Sequence, residues 1–301
     1  MLLFLATVVL WGSAAVVTAH QAVSADPAVS VAYRMLLVSI VMFVWCFARK
    51  TPLRVAGTNR GWIVLQGVLF FGLSFISFYH ATSHIPSGIA ALILSTSSLA
   101  AALTASLVLR THPSAHLLAG LSIGIAGLAV VVLPQFLAFS ATSDTVPGVL
   151  WAVAAAFCTG CGTVVAARNQ RAGLPVTVIM GWSALAGAAF SFGWAVVAGV
   201  DLRPAVTAPY IAGLVYLAIL ASCVTFAMYF SLVHRIGPAA AAYALSAVPL
   251  VALALSMMFE GLQLTAPIIA GSAAILWGNV IVLGNSNAKA PASSSPARTD
   301  A

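Results

Sequence analysis

The amino-acid sequence predicts an all-α membrane protein in which ten transmembrane helices form two inverted repeats of five helices each. Three observations lead to this prediction: ten nearly uncharged stretches of about 20 residues, basic residues concentrated in every second gap between them, and a second half that resembles the first. A helix needs about 20 apolar residues to cross a hydrocarbon core about 30 Å thick. The stretches therefore have the length that a membrane-spanning helix requires.

The ten stretches make up most of the chain and leave only short loops between them. Hydrophobic residues are 62% of the sequence and charged residues only 6%, whereas about 25% of residues are charged in soluble domains. The runs are continuous and about twice the length of the roughly 10-residue alternating strands of membrane barrels, so they are predicted as helices. In chain order, the predicted spans are residues 2–19, 28–48, 62–82, 86–109, 116–134, 148–167, 176–199, 209–233, 238–259 and 264–284.

Several of these elements have distinguishing features. Span one has no basic residues before its apolar run, which indicates a membrane span rather than a signal peptide. Span two is the only span with a charged side chain, Arg34. Spans four and nine contain polar or helix-breaking residues near their middles, and spans five and ten are rich in Gly. The segment 285–301, rich in Ala, Ser and Pro, is predicted to be a disordered cytoplasmic tail.

The distribution of Lys and Arg predicts the orientation of the spans. Cytoplasmic loops of membrane proteins have an excess of basic residues, and ten of the twelve here lie in alternate gaps or in the tail. Both termini are therefore predicted to face the cytoplasm of a bacterial-type inner membrane. The same distribution explains the net charge of +7 without a nucleic-acid partner. The ten residues are Arg49, Lys50, Arg54, Arg60, Arg110, Arg168, Arg171, Arg235, Lys289 and Arg298.

The two halves of the chain are similar to each other. Residues 85–132 align with 236–283 at a shift of about 150, and Trp11-Gly12-Ser13 aligns with Thr159-Gly160-Cys161. The repeats are predicted at 1–135 and 146–284. Because five is odd, the second repeat enters the membrane from the opposite side. Inverted repeats of this kind are typical of transporters, with the substrate site near the bilayer midplane where the halves meet.

These features together resemble the drug/metabolite transporter superfamily, in its ten-helix branch with two EamA-type repeats. The resemblance depends on Trp11-Gly12-Ser13, on Arg34 in AYRMLL, on the small-residue segments Ser87–Leu99 and Gly237–Leu250, and on the Gly-rich fifth helix of each half. Family members often have an acidic residue after spans four and nine. Here Arg110-Thr111 stands at the position of the acidic residue after span four. Glu260 lies slightly before the corresponding position after span nine.

The resemblance implies secondary transport of a small organic metabolite, an amino acid or a similar compound, in the export direction. Aromatic residues among the candidate lining favour aromatic or bulky hydrophobic amino acids, as in the aromatic amino acid exporters of the superfamily. Two alternatives stay open: transport of another metabolite or a drug on the same scaffold, and a membrane scaffold that transports nothing.

The first group of candidate substrate residues lies in spans four and nine. Ser95 and Ser98 are about halfway along span four, and Ser246 and Pro249 are their counterparts. Pro249 removes a backbone donor and frees a carbonyl in the middle of its helix. These groups could line a cavity, because polar residues inside a bilayer are costly unless they have a function or a partner. The alternative is a Ser/Thr face that packs helices together.

A second group lies in spans three and eight. Ser74 and Phe78 align with Thr225 and Tyr229, and in each pair an i, i+4 spacing places a hydroxyl and an aromatic ring on one helix face. Tyr79 would extend this wall outward. Such a wall suits an amphipathic organic solute, whereas core packing is the alternative.

A third group faces across the pseudo-two-fold axis. Trp11 and Ser13 in span one are predicted to lie opposite Thr159 in span six. Trp11 is about halfway through its span, where its N–H needs a partner. Arg34 is a possible ligand for a substrate carboxylate. Alternatively, its side chain reaches the membrane surface or pairs with a helix C-terminus.

Other site types are not supported by the sequence. No span has Asp or Glu near its middle, so a neutral or zwitterionic solute and facilitated passage are favoured over proton-coupled export of lipophilic cations. No enzyme motif, cofactor or metal is predicted. Cys158 and Cys161 are interpreted as small packing residues. The predicted partners are a small-molecule substrate and the lipid bilayer. The Gly120/Gly124 face is predicted to pack against helices of the same chain or against a second copy of the protein. A monomer or weak homodimer is therefore expected.

Overall fold

The computed structural model describes residues 1–108, 110, 114–137, 145–204 and 206–288. Every regular element in this part of the chain is helical. The α-helices are α1 (Leu2–Ser24), α2 (Pro27–Ala48), α3 (Gly57–Gln66), α4 (Ser74–His84), α5 (Ser87–Leu94), α6 (Ser97–Val108), α7 (Ala115–Leu137), α8 (Thr145–Arg171), α9 (Val176–Val197), α10 (Ala208–Val215), α11 (Thr225–Phe259) and α12 (Ala266–Ala288). Two π-helical segments interrupt spans three and eight: the first π segment is Gly67–Leu73 and the second is Tyr216–Val224.

These helices confirm the all-α prediction with ten spans. Among the described residues, eight helical stretches are long and apolar enough to cross a membrane. Two shorter apolar helices, Ala244–Phe259 and Ala266–Val282, occupy the places of spans nine and ten. α12 continues to Ala288 and so includes the first residues of the predicted disordered tail. The predicted residues that lie outside the described part of the chain are Leu109, Thr111 and the rest of the tail with Lys289 and Arg298.

The connection between the predicted spans eight and nine is assigned as helical in the structure. α11 is helical throughout, from Thr225 to Phe259. The sequence gives a physical reason, because four consecutive alanines follow Pro238 and Ala has the highest helix propensity.

α11 nevertheless contributes to both spans, because its direction reverses. Tyr229 contacts Trp11, and a side chain at Gly12 would meet Val251. In a straight helix, Tyr229 and Val251 would be about 33 Å apart along the axis. Since both contact neighbouring residues of α1, the helical path must turn back between them. α1 therefore packs against two arms of α11.

Several helix ends have residues suited to them. Asp26 precedes α2, and its carboxylate accepts a hydrogen bond of 2.8 Å from the backbone N–H of Ala28. α8, α9 and α11 are each followed by a Gly with a positive φ, a conformation that closes helix C-termini and that other residues rarely adopt. These are Gly173 (77°), Gly199 (69°) and Gly261 (68°).

The two π segments lie at equivalent positions in the two halves, close to the shift of about 150 residues between the repeats. Each lies in the third span of its repeat, and each ends directly before a predicted site residue, Ser74 or Thr225. The hydroxyls of Ser222 and Thr225 donate to carbonyls five residues earlier, at 2.8 and 2.6 Å. A π turn is wider than an α turn and is often found at functional sites.

Span four is broken near its middle, between α5 and α6. The break is at Ser95-Thr96, whose hydroxyls donate to backbone carbonyls three residues earlier, at 2.6 and 2.7 Å. Such bonds compete with the helical hydrogen-bond ladder. In the second half, by contrast, α11 continues through the buried Pro249. The expected turn at Pro249 is therefore absent, and the irregularity lies in the serine-rich helix instead.

The Gly-rich fifth helices of the two halves pack against each other within the chain. A Cβ at Gly127 would lie 2.7 Å from the carbonyl oxygen of Gly271, and a Cβ at Gly278 would lie 2.7 Å from that of Gly120. These distances leave no room for a side chain, so the glycines allow close backbone approach. The Gly120 face is thus occupied by α12 rather than being free for a second copy.

The remaining helix pairs follow the two-repeat arrangement. α2 packs on α9, its equivalent in the second half, as α7 packs on α12. α1 packs on α11, and α8 correspondingly packs on α4, α5 and α6. First helices of each half thus contact the third and fourth helices of the other half. The candidate site lies among these contacts.

Candidate substrate-binding site

An aromatic group forms where α1 meets the start of α11. The ring centroid of Trp11 is 5.3 Å from that of Phe226 in an edge-to-face arrangement, and 5.3 Å from that of Tyr229. All three side chains are half-buried. From the sequence, Trp11 and Tyr229 belong to separate groups. Phe226, three residues before Tyr229 in the same apolar run, is not among the predicted site residues.

Hydroxyl pairs connect the first helix of each half to the third span of the other. The hydroxyls of Ser74 and Thr159 are hydrogen-bonded to each other, which joins the end of the first π segment to α8. Ser13 and the Tyr216 hydroxyl are 2.6 Å apart, which joins α1 to the second π segment. Thr225 is fully buried, and its hydroxyl is used by the backbone of its own helix.

The break in span four is bridged by Asn279 of α12. Its side-chain nitrogen donates to the Ser95 carbonyl oxygen at 3.1 Å, and its side-chain oxygen accepts from the Ser98 hydroxyl at 2.8 Å. Asn279 is 2% exposed. The sequence analysis missed it, although a lone carboxamide within an apolar span was available as a signal. Ser246 is half-buried and Pro249 is buried on α11.

Two predicted wall residues of α4 are packed into the protein interior. Phe78 belongs to a core cluster that includes Ile89 and Ala252. Tyr79 is fully buried, and its hydroxyl donates to the Gln21 side-chain oxygen at 2.8 Å. The Gln21 side-chain nitrogen in turn donates to the carbonyl oxygen of Tyr210 at 3.1 Å. The core-packing alternative therefore describes these two positions, since α4 is enclosed on this side by α1 and α8.

Arg34 lies inside the helical bundle and does not reach its surface. It is 4% exposed, and its guanidinium lies 4.5 Å from the ring centroid of Phe75. One terminal nitrogen, Nη2, is 3.3 Å from the Ser222 hydroxyl, and the buried Nε has no hydrogen-bond partner. The alternative that Arg34 extends to the membrane surface is therefore wrong.

The two halves of span four differ in packing. Seven of the eight residues of α5 are buried, whereas only Leu99 and Ser106 are buried in the 12-residue α6. Residues 100–105 are all half-buried, so α6 is partly exposed on every side. A helix that only faced lipid would have one exposed and one packed face. The bundle is thus closed at the Pro86 end of span four and loose at the Arg110 end.

The closed end contains the carboxylate of Glu260. One of its oxygens, Oε2, accepts hydrogen bonds from the Ser87 backbone N–H, at 2.8 Å, and from the Ser256 hydroxyl. Glu260 therefore caps α5, a helix of the other half. It also lines a cavity of about 370 Å³ together with His20 and His84.

Neither this cavity nor a second one described below is lined by a predicted substrate residue. The second, of about 490 Å³, is lined by Phe190, Gly193, Trp194, Val197 and Ala198. Some polar groups of the predicted site are instead hydrogen-bonded within the bundle, as in the Ser74–Thr159 and Ser98–Asn279 pairs. No cluster of three or more His, Cys, Asp or Glu that could hold a metal ion occurs among the described residues. Cys158 and Cys161 are free thiols.

The sequence and the fold both match known proteins. The model of the EamA-like transporter family matches residues 1–133 and 146–284. A solved crystal structure aligns over 96% of this chain and 98% of its own, with a TM-score of 0.65 and 20% sequence identity, which supports the fold alone. No curated protein shows significant sequence similarity to the chain. Because the family model covers nearly all of both repeats, this multi-pass membrane protein belongs to the EamA-like transporter family.

Proposed function

We propose that the protein is a secondary transporter that exports aromatic or bulky hydrophobic amino acids across a bacterial inner membrane. The observation behind this proposal is the coincidence of three features in the middle of the spans. These are the aromatic group of Trp11, Phe226 and Tyr229, the hydroxyl-bearing ends of the π segments, and the broken span four.

These features are complementary to an amphipathic solute. Discontinuous helices expose backbone groups that a continuous helix would use internally, and transporters often build their sites from them. Aromatic rings supply a large apolar contact, and nearby hydroxyls supply hydrogen bonds. An amino acid with a large side chain requires both kinds of contact.

The packing of span four supports an alternating-access mechanism. The closed end at Glu260 and Ser87 joins the two halves, and the loose end surrounds α6. Movement of one half against the other would open the first end and close the second. In the proposed orientation, with both termini in the cytoplasm, the loose end faces the cytoplasm and admits substrate for export.

Flux in proteoliposomes tests this function directly. We expect labelled phenylalanine, tryptophan or leucine to equilibrate across the membrane without a pH gradient, because no span has a carboxylate near its middle. Strict dependence on a pH gradient would contradict facilitated passage. Flux of sugars or nucleotide precursors instead of amino acids would assign another substrate, and absence of all flux would favour a scaffold.

Trp11 provides a mutational test with a matched control. We expect Trp11→Ala to lower transport efficiency at least about tenfold, about 1.4 kcal/mol, because it removes the ring that contacts both Phe226 and Tyr229. Trp277→Ala is the control, since Trp277 is 63% exposed on α12. Equal transport by the two variants would contradict the proposed aromatic site.

A further inference from the structure

We propose that Arg34, Ser222 and Phe75 form an anion subsite that binds the carboxylate of the transported amino acid. This inference rests on the transport function proposed above and names the chemical group that the site selects. The guanidinium of Arg34 is 4% exposed and forms no ion pair with any Asp or Glu in the described part of the chain.

The charge of Arg34 is incompletely compensated. Arginine stays protonated in proteins, so it cannot become neutral as a buried lysine can. Its partners are all neutral: the Ser222 hydroxyl at 3.3 Å, the Tyr79 hydroxyl, and the face of the Phe75 ring at 4.5 Å. Nε is buried and donates to nothing. A buried charge without a partner of opposite sign is costly, and an anion would remove that cost.

The donors present fit a carboxylate. A guanidinium presents its N–H groups in a planar fork that matches the two oxygens of a carboxylate. The Ser222 hydroxyl already donates to the Leu217 carbonyl at 2.8 Å, so toward Arg34 it acts as an acceptor. A carboxylate bound at Nε would therefore satisfy the unused donor without displacing Ser222.

The position of the subsite suits the size of an amino acid. Ser222 lies in the second π segment, four residues before Phe226 in the same span, and Phe226 contacts Trp11. A carboxylate at Arg34 would thus leave the substrate side chain within reach of the aromatic group. Phe75, whose ring lies against the guanidinium, is itself half-buried.

Ligands that differ only at the carboxylate test this inference in the wild-type protein. We expect L-phenylalaninamide, which has a neutral carboxamide, to bind at least about tenfold more weakly than L-phenylalanine, because a hydrogen bond to a charged group is lost. Equal affinities would overturn the anion subsite while leaving amino-acid transport intact. If neither compound is bound or transported, the proposed function itself fails.

Substitutions at Arg34 provide the second test. Arg34→Gln is expected to weaken phenylalanine binding at least about tenfold and phenylalaninamide binding little, so that the preference for the acid disappears. Arg34→Lys should retain part of the preference, because the charge stays and the fork is lost. Arg203→Gln, at an exposed position in the loop before α10, is the matched control.

Two competing explanations, a purely structural role for Arg34 and binding of an inorganic anion, predict different outcomes of these experiments. If Arg34 only holds helices together, Arg34→Gln will weaken both ligands equally, which would overturn the inference. Replacing chloride in the buffer by gluconate tests whether chloride is the anion that binds at Arg34. Thermal stabilisation of the wild type by chloride, with no preference for the acid over the amide, would assign the site to chloride and also overturn it.

Discussion

Buried carboxamide side chains join the two halves of the bundle. Gln21 of α1 bonds to Tyr210, Asn279 of α12 bonds to Ser95 and Ser98, and Asn169 of α8 donates to the Gln66 side-chain oxygen at 2.9 Å. A carboxamide both donates and accepts without carrying charge. It can therefore satisfy a partner inside the membrane at lower desolvation cost than an ion pair.

Asn279 gives a stability prediction at this scale. Asn279→Leu keeps a similar volume but leaves the Ser95 carbonyl and Ser98 hydroxyl without this partner. We expect the free energy of unfolding to fall by about 1–3 kcal/mol, measured by thermal or denaturant unfolding in detergent. Gln170→Leu, the same substitution type at an exposed position of α8, should change it little. Equal effects would contradict a bridging role for Asn279.

The sequence draws attention to the polar positions of the spans but does not reveal their partners. Ser74, Thr159, Ser95 and Ser98 were identified because hydroxyls inside apolar runs are conspicuous. Their pairing depends on which helices are neighbours, and one sequence does not contain that information. Phe78 and Tyr79 were placed on a cavity wall because i, i+4 spacing defines a helix face but does not say what that face contacts.

Among the elements, spans four and nine show why irregularities are harder to predict than spans. Pro249 was expected to interrupt its helix, yet α11 continues, and the Ser95-Thr96 hydroxyls interrupt span four instead. A proline removes one donor, whereas two neighbouring hydroxyls redirect two carbonyls. Apolar length predicts that a helix is present, and local hydrogen bonding decides where it is broken.

The contact between α7 and α12 gives a prediction at the element scale. Gly127→Ala is expected to destabilise the protein by about 1–3 kcal/mol, because the new Cβ would lie 2.7 Å from the Gly271 carbonyl oxygen. Gly193→Ala is the matched control in α9, where the new Cβ would contact nothing within 4 Å. Since Ala favours helix over Gly, this control should be neutral or stabilising by up to about 1 kcal/mol. Unfolding in detergent measures both, and the same sign for both would contradict the packing argument.

At the scale of the whole molecule, the two ends of the bundle differ. The Pro86 end is held by a carboxylate that caps a helix of the opposite half, and no equivalent bond joins the described residues around Arg110. The repeats are thus alike in helix order but unlike in the contacts at their fourth and ninth spans. In the proposed mechanism, this difference would leave the transporter open to one side of the membrane.

Accessibility of introduced cysteines tests this difference between the ends. In a background without the native cysteines, Ala102→Cys in α6 should react with a water-soluble maleimide, whereas Ala90→Cys in α5 should not. Ala102 is half-buried beside the loose end, and Ala90 is fully buried. In the proposed orientation, the reagent should react from the cytoplasmic side only. Faster labelling at position 90 than at 102 would contradict the assignment of the closed end.

The ten spans and the two-repeat plan could be predicted because they depend on apolar length and on internal similarity. A change of direction between spans eight and nine was also expected from the two separate spans, whereas the continuous helical assignment of α11 across Gly237-Pro238 was not. The location of the substrate site near the bilayer midplane, inferred from Trp11 and the serines of span four, stays a prediction. The uncompensated environment of Arg34 required the structure.

The π segments also affect how residues in spans three and eight should be counted. Each additional residue in a wide turn rotates everything beyond it by about 100° relative to regular α periodicity. A helical wheel drawn through Gly67–Leu73 or Tyr216–Val224 therefore assigns the far positions to the wrong side. In mutational scans of these spans, the helix face of each residue should therefore be assigned separately before each π segment and after it, from Ser74 or Thr225 onward.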